Sequence, residues 1–94
     1  MDEALKDKRM AILAVANRYR LERIRVFGSA ARGELRDSSD VDLLAGFPDG
    51  FSLLDHAAAQ RDLTTAAGRP VDFVSEAGLR PRVRQKVTGE AVPL

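Results

Sequence analysis

Hydrophobic positions along this chain switch between two periods, and the switches mark its elements. Leu5, Ile12, Ala16 and Tyr19 recur at helical spacing, with Lys6, Lys8, Arg9 and Arg18 mostly on other faces. That pattern predicts a helix over about residues 2–20, with Asp2 and Glu3 suiting its first turn. Ile24-Arg25-Val26-Phe27 has the β-branched and aromatic composition of a strand. A short helical stretch over 30–32 follows, ended by Gly33, and residues 34–39 form a polar loop. A second strand spans 41–45, and the Gly and Pro of 46–50 make a turn. Ser52 caps a helix to about residue 67, with Asp55 three positions on as in a capping box, and Gly68 stops it. A third strand covers 71–74, and 76–89 is helical, restarting at Pro81 as a first helical position. No repeat, low-complexity segment or linker interrupts the chain, so residues 1–94 are expected to form one domain.

The first candidate for chemistry is the turn after the first strand, Gly28-Ser29-Ala30-Ala31-Arg32-Gly33. A glycine lets backbone approach a ligand with no Cβ in the way. Backbone N–H groups at a helix start, with the Ser29 hydroxyl, suit phosphate oxygens. Arg32 either adds a guanidinium fork to that site or pairs with Glu34 or Asp37.

The second candidate is Ser39-Asp40-Val41-Asp42-Leu43. Alternate strand residues share a face, so Asp40 and Asp42 project together, about 7 Å apart at Cα, while Val41 and Leu43 point into a core. Two carboxylates on one face repel, and a divalent cation such as Mg²⁺ removes the repulsion. Ser39 either braces this loop or is a plain turn serine. Asp72 interrupts the apolar strand Pro70-Val71-Asp72-Phe73-Val74. An unpaired acid is costly to bury there, but it is accommodated if it shares a metal with Asp40 and Asp42. Such an acid can also orient and deprotonate an attacking hydroxyl. A phosphate turn followed by clustered acids reads as a site for a nucleoside triphosphate, and two-metal sites clamp the attacking and leaving oxygens of in-line transfer.

Gly28-Ser29, then Asp40-Val41-Asp42, then Asp72 resembles the DNA polymerase β-like nucleotidyltransferase superfamily over nearly the whole chain, and in particular its minimal nucleotidyltransferase branch. The resemblance implies an α/β fold, a small mixed sheet flanked by helices. It implies Mg²⁺ held by Asp40, Asp42 and Asp72, ATP on Gly28, Ser29, Arg32 and Ser39, and transfer of AMP. It also implies a partner, a helical HEPN ribonuclease toxin for which this chain would be the antitoxin, with a toxin tyrosine as acceptor. One alternative is an antitoxin that neutralises by binding alone. Another is a small-molecule nucleotidyltransferase, although such proteins carry an added helical lobe for the acceptor.

Composition narrows the setting. Fifteen basic and fourteen acidic side chains leave a net charge of +1, so bulk charge points to neither nucleic acid nor membrane. Arg80, Arg82, Arg84 and Lys86 make a basic helix end without interleaved aromatics, which reads as a solvated face or a docking surface for an acidic partner. The absence of cysteine excludes disulfides and thiolate metal sites. The acidic start lacks a signal-peptide pattern and no apolar run approaches membrane-spanning length, so a cytoplasmic protein is expected. His56 reads as a surface or partly buried helix residue, with contact to a ligand or partner as the alternative.

Overall fold

The computed structural model describes residues 3–36 and 39–94. Two of the expectations above, Asp2 in a first helical turn and Asp37 as a partner for Arg32, lie outside these residues. The centre of the sheet is built from β1 (Glu22–Phe27) and β2 (Val41–Gly46). They pair antiparallel, with Val26 opposite Leu43 and Phe27 opposite Asp42. β3 (Val71–Ser75) pairs parallel with β2, and a parallel pair needs a crossover, here helix α3 (Leu53–Ala67). On the far side of β1 the two-residue strand β4 (Val92–Pro93) pairs antiparallel, which gives the order β3-β2-β1-β4. The sheet is therefore mixed, and the fold is α/β as expected.

Local chemistry explains α3 well. The Ser52 side chain accepts from the Asp55 N–H at 3.0 Å, and the Asp55 carboxylate accepts from the Ser52 N–H at 2.9 Å. Gly68 closes the helix in the left-handed conformation, φ 72°. The first helix differs from expectation. It is two pieces, α1 (Glu3–Lys6) and α2 (Arg9–Arg18), because the Lys8 N–H closes a short turn onto the Leu5 carbonyl and the helix restarts from Lys8. Leu5 and Ile12 are nevertheless both buried. α4 (Pro81–Glu90) starts at Pro81 as expected, after a 3-10 turn over Glu76–Gly78, and contains no buried residue.

Pairing register sorts the strand residues into two faces. Val26, Val41, Leu43, Ala45, Val71 and Phe73 face α2 and α3 and are buried with Ile12, Val15, Ala59 and Leu63 in one core. Arg25, Phe27, Asp42, Leu44, Asp72 and Val74 occupy the other face. Leu44 on that face is fully buried too, although it is not part of the core beneath the helices. No described helix is long and apolar enough to cross a membrane.

His56 fastens α3 to β3. Its Nε2 lies 2.7 Å from the Phe73 carbonyl, and its ring stacks on Phe73 at 4.9 Å between centroids. A carbonyl only accepts, so Nε2 carries the proton. Phe47 and Phe51 extend the aromatic cluster. His56→Ala removes both the bond and the ring contact. It is expected to lower unfolding free energy by about 1–3 kcal/mol, read from the urea midpoint at unchanged slope.

Candidate active site

Asp42 is the second residue of β2, and the register places it directly between two neighbours. Phe27 lies opposite on β1, and Asp72 lies level with it on β3. Paired positions on adjacent strands are roughly 5 Å apart and share a face, so the Asp42 and Asp72 side chains leave the sheet side by side. Asp40 stands two residues earlier, just before the strand begins. Asp40 and Asp72 are exposed and Asp42 is half-buried. Burial first, then the charges of Asp72 and Asp40, push the Asp42 carboxyl above its ordinary value.

The end of β1 meets this acid at Gly28. The backbone there is left-handed, φ 69°, and a Cβ on residue 28 would sit 2.5 Å from Asp42 Oδ2. Any side chain would collide with the carboxylate, which gives the glycine a specific role. Gly28–Ala30 forms a 3-10 turn rather than the α-helical stretch expected over 30–32. The Ala31 N–H donates to the Gly28 carbonyl at 3.1 Å, and the Glu34 N–H donates to the Ser29 carbonyl at 2.8 Å. Ala30 is buried beneath the turn, and Gly28 and Ser29 are partly exposed beside the acids.

The other two candidates are engaged in the protein itself. Arg32 Nε lies 3.0 Å from Glu34, and its Nη1 lies 3.6 Å from Glu90 at the end of α4. Of the two readings of Arg32, the described partners favour ion pairing, and a phosphate would have to exchange with these acids. Glu90 was not legible as a neighbour because no local pattern links it to residue 32. Ser39 closes a turn: its Oγ accepts from the Arg36 N–H at 3.0 Å, and its own N–H donates to the Arg36 carbonyl at 2.9 Å. That carbonyl also accepts from Arg69 Nη1 at 2.9 Å. The loop delivering Asp40 is thereby tied to the segment delivering Asp72, a brace that sequence reasoning missed.

The donor set fits a hard divalent cation. Carboxylate oxygens are the ligands Mg²⁺ prefers, and their mutual repulsion, visible at Asp42, is what a cation relieves. Among the described residues no three acidic or histidine side chains close around a point to form a complete cage. Oxygens from a substrate would be needed to finish the coordination, in keeping with the habit of Mg²⁺ of binding through few carboxylates plus phosphates.

The site thus sets an acid pair in register on a mixed sheet, with a glycine turn packed against it. Residues 8–94 match the nucleotidyltransferase-domain family, and the chain belongs to that family as a nucleotidyltransferase. It is similar to a candidate protein adenylyltransferase of Methanocaldococcus jannaschii, with 32% identity over 86% of this chain and 87% of the relative. It is also similar to the protein adenylyltransferase MntA of Thermococcus cleftensis, with 36% identity over 80% of this chain and 76% of that protein. A solved candidate minimal nucleotidyltransferase superposes with a TM-score of 0.88 at 50% identity, over 100% of this chain and 97% of the other. A toxin-antitoxin complex with AMP-PNP contains a chain that superposes at 0.78 and 21% identity, over 89% of this chain and 69% of that one, a likeness of fold alone.

The raised Asp42 carboxyl has a pH consequence. Its folded-state value lies above the unfolded one, so in metal-free protein the contribution of this group to stability is fully present below the ordinary carboxylate range and is lost as pH rises through the raised value. In EDTA, Asp42→Asn is expected to remove that part of the pH dependence and to melt higher than wild type near neutrality. Melting temperatures across the acid range check it, and identical profiles for the two proteins would show that the acids do not interact.

Proposed function

We propose that this nucleotidyltransferase transfers AMP from ATP to a tyrosine hydroxyl of a HEPN ribonuclease toxin and acts as its antitoxin. The observation that carries the reading is the packing of the Gly28 turn against Asp42, with Asp72 level beside it. A phosphate-binding turn and two acids then meet at one end of the sheet. The names of the relatives, protein adenylyltransferases, support AMP as the group transferred. The resemblance of the Gly-Ser and Asp-Val-Asp motifs to the minimal nucleotidyltransferase branch supports the toxin as acceptor.

On this reading Gly28 and Ser29 hold the triphosphate through backbone N–H groups and the serine hydroxyl. Arg32 joins them by exchanging its acidic partners for phosphate, and Ser39 keeps the Asp40 loop closed. Asp40, Asp42 and Asp72 would hold two Mg²⁺ ions, which when bound supply positive charge to the phosphate oxygens and the leaving group. Asp72 accepts the proton of the tyrosine hydroxyl. The phenolic oxygen bonds to the α-phosphorus while the bond to the bridging α–β oxygen breaks, and pyrophosphate leaves with the electron pair. Asp40 and Asp72 are exposed, so a hydroxyl carried on another protein's surface can reach them. The chain works as one domain, in the cytoplasm where ATP is abundant.

The test is intact-mass spectrometry of the mixed proteins with Mg²⁺ and ATP. The toxin is expected to gain AMP, and small alcohols and aminoglycosides to remain unlabelled. Asp42→Ala or Asp72→Ala is expected to slow transfer at least about 100-fold while the two proteins still associate. Full neutralisation by Asp42→Ala would mean that the protein acts by binding alone. Efficient labelling of a small molecule in place of the toxin would overturn the reading.

A further inference from the structure

A cavity of about 490 Å³ opens at the end of the sheet away from the acids, lined by residues that include Arg23, Gly46, Phe47, Ser75, Glu76 and Arg84. Gly46 lies four residues beyond Asp42 on β2, roughly 13 Å along the strand, so the two places are distinct. We propose that this cavity is a second binding site, for a small phosphate-bearing anion, and that it is independent of the carboxylates.

Three observations support this. Arg23 adopts a left-handed backbone, φ 51°, within a register shift of β1. Strained backbone of this kind persists where the surrounding structure enforces it and collects at ligand sites. Its guanidinium lies over Gly46, where a Cβ would come within 2.5 Å of Arg23 Nη2. The glycine therefore makes room for an arginine head group at the cavity wall. The second observation is charge. Glu76 accepts from Arg25 at 2.7 Å and lies 3.7 Å from Arg23 Nε, and Glu22 lies 3.3 Å from Arg23 Nη1. Two acids thus serve Arg23 and Arg25, while Arg84, reaching in from α4, has no ion-pair partner among the described residues. The third is the mixed lining. The Arg84 fork matches two oxygens of a phosphate monoester, Arg23 adds a second fork by exchanging Glu22 and Glu76, the Ser75 hydroxyl can donate a further bond, and Phe47 offers an apolar wall to the organic part of a ligand.

The experiment uses the ¹⁵N-labelled full chain in EDTA, titrated separately with inorganic phosphate and with AMP while amide shifts are followed. Saturable shifts are expected at Gly46, Phe47, Ser75 and Ala77. Tighter binding of AMP than of phosphate assigns the organic part to the Phe47 wall, and equal binding assigns the site to the phosphate group alone. Arg84→Gln, on an exposed helix position, is expected to weaken both at least about tenfold. Asp42→Asn is expected to leave these shifts unchanged, which separates this site from the proposed transfer site. Shifts confined to Gly28–Ala30, no saturable shift at the four amides, or an Arg84→Gln protein that titrates like wild type would each overturn the proposal.

Discussion

The acid end of this molecule depends on one close approach, that of the Gly28 backbone to the Asp42 carboxylate. β1 and β2 are paired right up to Phe27 and Asp42, so the chain must leave the sheet immediately beside an acid. Glycine turns there with left-handed backbone, and a Cβ at that position would displace the Asp42 carboxylate. The result is a carboxylate half-covered by peptide. That cover desolvates Asp42 while Asp72 and Asp40 repel it from the side. The protein holds this arrangement because the opposite face of the sheet is apolar, with Val26, Leu43 and Val41 fully buried there. The core under the helices supplies the stability that the acid face withdraws.

Charge is distributed along the strands as well as across the sheet. Acids collect where β2 and β3 begin, and arginines collect where those strands end and β1 starts. α4 runs between the two ends: Arg84 lines the cavity near Glu76, and Glu90 reaches Arg32 beside the glycine turn. Glu22 and Glu76 pair with the arginines at the cavity end, so a chain with almost no net charge is also partly balanced locally there. The basic helix end, considered from composition alone, reads as a solvated face or a docking surface for an acidic partner. Its meaning changes once Arg84 is seen to share a cavity with Arg23.

Local rules were legible wherever the signal is contained in a few neighbouring residues. The Ser52–Asp55 box, the Gly68 stop and the Pro81 start all appear where their chemistry puts them. The alternation around Asp40 and Asp42 assigned Val41 and Leu43 to the core and the acids to the other face. Features that depend on distant partners were not legible. The two residues of β4 form a strand only because β1 offers an open edge, and Val-Pro carries no strand pattern by itself. The register shift at Arg23 has no signature because arginine ordinarily avoids left-handed backbone. The break at Lys8 was hidden by apolar spacing that continues across it. The Arg32–Glu90 and Arg69–Arg36 contacts join positions 58 and 33 residues apart, beyond the reach of any local pattern.

The level pairing of Asp42 with Asp72 constrains more than chemistry. Side chains on a strand alternate, so slipping β3 by one residue would bring Asp72 to the core and put Phe73 outside. A buried carboxylate beneath α3 would be penalised heavily, and His56 would lose the carbonyl and ring it is fastened to. The acid therefore adds to the cost of a misregistered sheet. It follows that the length of the short connection from Gly68 to Pro70 is constrained as well as its composition, which the left-handed Gly68 and the Arg69 brace already limit. An insertion or deletion of one residue there would disturb the alignment and the acid face together.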